Sequence, residues 1–157
     1  MAHLVCFRVG KETFGVDIFA VREIVKAQEI TSVPGTTDYV LGIINLRGKI
    51  ISVMDLAARL GLAAASVGRA SRIIVVDIDG FTVGFLVDAA TEVLKLPDES
   101  IDPAPEEIKN TIDDDYLEGV GKLDDRLVII LNLRHLLSDG DAEALEAALG
   151  AVAVEGP

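Results

Sequence analysis

The sequence predicts a mainly β protein made by duplication, with two small barrels packed against each other over a shared apolar core. Three observations point there. Gly42 to Leu56 aligns without a gap on Gly119 to Leu133, 77 residues later. Thr13-Phe14-Gly15-Val16 aligns on Thr82-Val83-Gly84-Phe85 at an offset of 69, so the second copy carries eight extra residues between its halves. The apolar alternation keeps its phase in both copies, which places the same positions on the same sheet face. Two copies are too few for a solenoid, whose units need neighbours on both sides.

In chain order, Leu4 to Ile18 reads as a β-hairpin: Val5, Phe7 and Val9 alternate, Gly10-Lys11-Glu12 turns the chain, and Phe14, Val16 and Ile18 alternate again. The second copy repeats it with Ile74, Val76 and Ile78, the Asp79-Gly80 turn, then Val83, Phe85 and Val87. Runs such as Arg72 to Val76 and Leu127 to Leu131 are apolar on both faces and read as strands buried between packed lobes. Each copy ends with a strand entering a short helix. Asp55 and Asn132, at matching positions, supply side-chain oxygens for the first amides of those helices. Ala63 to Ser71 is small and polar and reads as the linker. Pro97 to Pro105 reads as an acidic surface loop leading to a short helix near Glu106–Asn110. Ala142, Leu145, Ala148 and Leu149 are spaced for a C-terminal helix over 141–149, followed by a frayed tail. The 157 residues are read as one domain, with sublobes at about 14–70 and 72–140 and the 4–10 strand completing the shared core.

Half the residues are hydrophobic, so a sizeable core is expected. No apolar run reaches the roughly 18–20 residues that span a bilayer, and Met1 to Cys6 lacks the basic start of a signal peptide. The single cysteine forms no internal disulfide, which fits a reducing compartment. We expect a cytosolic protein. A formal net charge of −12 opposes nucleic-acid binding, and 4% aromatics with no tryptophan leave little for base stacking.

No catalytic constellation emerges. His3 and His135 lack partners at triad spacing, and Cys6 matches Val75 in the other copy, as a strand hydrophobe would. There is no zinc spacing and no phosphate-binding glycine loop. Asp113-Asp114-Asp115 lacks the alternating ligands of a calcium loop and reads as a solvated turn. An enzyme using Asp77 and Asp79 is a weak alternative. No cofactor or metal is expected.

Differences between the copies mark specialised positions. A turn is required at Arg47 and at its counterpart Asp124, but an arginine is not, so Arg47 is a candidate for a specific polar contact; an exposed turn arginine is the competing reading. Glu23 and Ile24 recur as Glu92 and Val93, whereas Val21 shrinks to Ala90. Core packing is expected for Ile24 and Val93, and a partner groove for Val21.

The segments Phe14-Gly15-Val16-Asp17-Ile18, Val21-Arg22-Glu23-Ile24 and Gly42 to Ile51, with Ile101 to Pro105 and Tyr116 to Gly121, resemble the chemotaxis coupling family CheW over about residues 4–138. The resemblance implies two five-stranded SH3-like barrels and a non-catalytic adaptor without cofactor. It implies binding to the cytoplasmic tip of methyl-accepting chemoreceptors and to the regulatory domain of the histidine kinase CheA, with other CheW-like domains in rings as further partners. The protein would be cytoplasmic, recruited to membrane-associated arrays without inserting into the membrane. By motif, the receptor groove between the lobes would draw on Val21, Glu23, Gly42 and Arg47, with Gly42 admitting close backbone approach. The kinase face would draw on Ile30, Ile101 and Ile108. Two features depart from the pattern: Ser52 stands where members commonly have proline, and Glu106-Glu107 makes the loop before Ile108 acidic. A related module of a twitching or surface-sensing pathway is the alternative within the family.

Overall fold

The computed structural model describes residues 1–33, 38–63 and 67–137. The first copy consists of β1 (Ala2–Val9), β2 (Glu12–Asp17), a 3₁₀ turn (Ile18–Ala20), β3 (Val21–Lys26), β4 (Val40–Leu46), β5 (Lys49–Asp55) and α1 (Leu56–Arg59). The second consists of β6 (Arg72–Ile78), β7 (Phe81–Val87), β8 (Ala89–Leu96), β9 (Ile101–Asp102), α2 (Glu106–Lys109), β10 (Leu117–Leu123), β11 (Arg126–Leu131) and α3 (Leu133–Leu136). The two SH3-like barrels expected are present. The helix expected over 141–149 lies outside the described residues, as do 64–66 of the linker.

The strand orders are β3-β6-β7-β5-β4 in lobe one and β8-β1-β2-β11-β10-β9 in lobe two. Under the repeat these are one order, with the two-residue β9 added. The hairpins are exchanged: β1–β2 sits with β8, β10 and β11, and β6–β7 sits with β3, β4 and β5. The sequence boundaries 14–70 and 72–140 therefore divide the repeat, not the sheets. The exchanged hairpin joins its host through a parallel pairing, β5 on β7 and β11 on β2. Each lobe thus requires the other half of the chain, which ties the two together more firmly than a linker.

Exchange also explains the doubly apolar strands. On β6, Ile74, Val76 and Ile78 face the central cluster shared by the lobes, while Ile73 and Val75 face the interior of lobe one. On β1, Val5, Phe7 and Val9 face the shared cluster, and Leu4 and Cys6 the interior of lobe two. Neither face meets water, so neither needs polar residues. Burial pushes the Cys6 thiol up to about 11, with the neighbouring Glu92 adding to the shift and Arg126 opposing it, so it stays protonated and inert.

The helix caps fall where expected. Asp55 accepts the Ala58 amide at 3.4 Å, and Asn132 accepts those of Arg134 and His135 at 3.1 and 3.4 Å. Beside them the lobes are joined by Arg59. Its guanidinium lies 5.1 Å from the Tyr39 ring centre and 4.7 Å from that of Tyr116, which are matching repeat positions, and its Nε donates to the Leu136 carbonyl at 3.0 Å.

Candidate functional site

Two barrel devices place the motif residues. The first is the turn between β4 and β5. Leu46 pairs with Lys49, leaving Arg47 and Gly48 as a two-residue loop with φ of 52° and 84°. Such loops favour Asn, Asp and Gly because both central residues are left-handed. Asn45 helps to hold it by accepting the Gly48 amide at 2.8 Å. In lobe two the matching residue is Asp124, with φ 47°. Asparagine and aspartate are enriched in this conformation, while arginine is not. From the turn, the Arg47 side chain reaches Glu23 on β3 and forms an ion pair with it, across the open side of the barrel. Hydrogen bonding to Arg47 holds the Glu23 carboxyl below the usual carboxylate range, and Arg47 is correspondingly raised. The arginine side chain remains 70% exposed.

The second device is a bulge at Gly42, φ 147°, matched by one at Gly119, φ 155°. A Cβ at Gly42 would lie 1.9 Å from the Thr31 carbonyl oxygen. Thr31 and Ile43 exchange two hydrogen bonds of 2.9 Å, so the segment after β3 closes the barrel against β4. At Gly119 the approaching oxygen belongs to Asp102 on β9, 2.6 Å from a built Cβ. The close approach read at Gly42 is thus made by the protein's own backbone, and the glycine is buried. Gly42 is a buried part of the lobe wall, set against the Thr31 backbone.

The remaining expected residues are dispersed. Val21 is half-buried against the central cluster. Ile30 packs on the interior cluster of lobe one, Ile101 on that of lobe two, and Ile108, from α2, on the central one. These three isoleucines are half-buried and do not share one cluster. Sequence reasoning also missed the apolar side chains that are exposed. Ile24 and Val93, expected in the core, are 39% and 59% exposed. They lie on β3 and β8, the terminal strands of their sheets, with one face uncovered. Ile50 and Leu127, another matched pair, are 37% and 49% exposed, and Phe19 is 84% exposed. The repeat itself held the signal for the two pairs, since both copies keep them apolar. Lobe two also reproduces the ion pair, with Arg126 on Glu92. Its arginine comes from the first residue of β11 rather than from the turn.

Among the described residues, no three His, Cys, Asp or Glu side chains converge as a metal site. His135 is exposed, with Nδ1 2.7 Å from the Asp115 carbonyl oxygen. Among the described residues, no helix is long and apolar enough to cross a membrane.

Comparison with known proteins places this scaffold. Residues 3–141 match the family model of the CheW-like domain. The chain belongs to the CheW-like family. It is 38% identical over 141 residues to a probable chemotaxis protein CheW of Rhizobium etli, covering 90% of each. It is 37% identical to chemotaxis protein CheW of Helicobacter pylori, over 83% of this chain and 78% of that one. In three dimensions it resembles the crystal structure of the scaffolding protein TtCheW from Thermoanaerobacter tengcongensis. That match has a TM-score of 0.80 at 42% identity, covering 89% of this chain and 90% of the other. The CheW-like family is one of chemotaxis scaffolds and adaptors, and the double barrel described above is its fold.

Proposed function

We propose that the protein is a non-catalytic coupler, holding the cytoplasmic tips of chemoreceptors and the regulatory domain of the histidine kinase CheA in one membrane-associated array. Family membership supports the general role. Arg47 is the observation that carries the site reading. A left-handed turn position that lobe two fills with aspartate is held here by an exposed arginine, paired by one side chain and open on the other side. Such a guanidinium donates charge-assisted hydrogen bonds to carboxylates or carbonyls of a receptor helix. Glu23 orients it, Val21 contributes apolar wall, and Gly42 keeps that wall closed. Kinase binding falls to the lobe ends, where Ile24 and Ile50 on one lobe and Val93 and Leu127 on the other are exposed. Ile30, Ile101 and Ile108, half-buried on the clusters of lobe one, lobe two and the centre, are assigned to the kinase contacts as well.

Titration with a receptor-tip fragment and with the kinase regulatory domain tests this. Arg47→Asp should weaken receptor binding at least ten-fold and leave kinase binding intact. Val93→Asp with Leu127→Asp should do the reverse. Wild-type receptor affinity in Arg47→Asp would overturn the groove, and equal loss of both partners would report misfolding instead.

A further inference from the structure

α1 and α3 hold the same place in the two copies, but they are fastened differently. Ala57, Ala58 and Arg59 of α1 match Arg134, His135 and Leu136 of α3. Ala57 is buried and Ala58 carries no polar group, whereas Arg134 and His135 are exposed and both make polar contacts. Arg134 Nη2 lies 3.6 Å from Asp79 Oδ1 in the β6–β7 turn, which belongs to the sheet of lobe one. Both side chains line a hollow of about 310 Å³ between the lobes. His135 Nδ1 lies 2.7 Å from the Asp115 carbonyl oxygen, which can only accept, so Nδ1 is the donor. Asp115 belongs to the 3₁₀ turn Asp114–Tyr116, and the Asp114 carboxylate lies 3.9 Å from Lys109 Nζ on α2, the helix that carries Ile108. The backbone tie beneath is common to both copies: Asp55 N–H donates to the Tyr39 carbonyl, and Asn132 N–H to that of Tyr116, each at 2.8 Å. Barrel closure therefore needs the backbone tie and not the histidine, which only lobe two adds.

We propose that α3 links the two docking surfaces energetically, with Arg134 and His135 as its positioning residues. A helix of one turn has little stability of its own. Leu133 and Leu136 anchor α3 in the core, and its polar tethers set how it sits on that anchor. The Arg134–Asp79 pair is long and exposed, so a segment seated in the hollow displaces it at small cost. α3 then turns about its buried leucines, and His135 carries the shift to the Asp114–Tyr116 turn and on to α2. Occupancy of the hollow thereby changes the affinity of the Ile108 face, and occupancy of that face changes the affinity of the hollow by the same factor. The inference rests on the coupling reading for the identity of the two partners and adds a linkage between their sites.

The test is calorimetric titration of the full chain with a receptor-tip fragment and with the kinase regulatory domain, each alone and with the other saturating. In the wild type, saturating receptor fragment should change kinase-domain affinity about five-fold or more, and the reverse titration should return the same factor. His135→Ala should keep both separate affinities within about two-fold of wild type and bring the linkage factor close to one. His135→Asn, whose amide N–H takes the place of Nδ1–H, should restore most of the factor. A merely structural role for His135 would instead lower the separate affinities together and leave the linkage factor as it was. That result overturns the proposal, as does a wild-type linkage factor in His135→Ala. If both partners bind the wild type and neither alters the other, only this proposal falls. If neither partner binds the wild type, the coupling reading falls and takes this inference with it.

Discussion

Lobe one and lobe two share a strand order, a bulge glycine, a capped helix and a glutamate–arginine pair, yet they finish their surfaces differently. Lobe two makes its pair from a regular strand position, Arg126, and leaves the favourable Asp124 in its turn. Lobe one makes the same pair from within the turn, at Arg47, where the backbone favours other residues. The corner at Asp88 is sealed against the Gly10 amide, while Phe19 at the matching corner is exposed. Duplication supplies a control: what one lobe alone changes at some cost is available for binding, while what both lobes keep includes the barrel-building positions and also the exposed apolar pairs Ile24–Val93 and Ile50–Leu127.

The strongest way to break the comparison is at the bulge. Gly42→Ala places a Cβ against the Thr31 carbonyl in a left-handed backbone and disrupts the closing pair of hydrogen bonds. Strain, overpacking and lost bonds together cost about 5 kcal/mol. Gly119→Ala meets only the two-residue β9, at the longer distance of 2.6 Å, and should cost less than half as much. Urea unfolding of both variants checks this; equal losses would mean that the first closure is no tighter than the second.

Next is the shared core. Phe7 and Phe14 pair across β1–β2 with ring centres 6.2 Å apart, and their counterparts Val76 and Val83 pair across β6–β7. All four side chains are at most 1% exposed. Phe14→Ala should cost about 4 kcal/mol and Val83→Ala about 2, following the volume removed. The ratio of the two, from denaturant midpoints at constant slope, shows whether the exchanged hairpins contribute through volume or through position.

Much of this was legible in the residues because alternation, turns and caps are local. The two hairpins, Asp55 and Asn132, and the helix near Glu106 follow from neighbours in sequence. Hairpin exchange does not, because a period of two shows which face is buried but not which strand lies alongside. Gly42 revealed a close approach, and nothing near it in sequence named Thr31 as the occupant. Ile24 and Val93 looked like core because an apolar residue on a terminal strand has the same pattern as one on a central strand. Phe19 falls out of phase with Phe14, Val16 and Ile18, so its outward direction was readable.

A smaller effect is expected at Arg59, which stacks between tyrosines of the two lobes, whereas its counterpart Leu136 is fully buried. Arg59→Ala removes cation–π contacts and a hydrogen bond to Leu136, a loss of about 1–2 kcal/mol. Arg59→Lys should recover less than half, since an ammonium cannot stack between two rings. Thermal unfolding of the two variants measures the difference.

The finest distinction is between the two ion pairs. The Glu23 carboxyl is held below its ordinary range by the Arg47 hydrogen bond. A depressed carboxyl contributes its pairing above the ordinary value and loses it as pH falls through the depressed one. Receptor affinity should therefore be flat across neutral pH as far as this pair is concerned, and should change only in acid. Carbon NMR titration of the Glu23 carboxyl should show its midpoint returning upward in Arg47→Ala. Because the pair is solvent-exposed, the same variant should leave the unfolding midpoint unchanged within error. A midpoint shift would mean that Arg47 braces the barrel, and the strained turn would then be explained by stability without any partner.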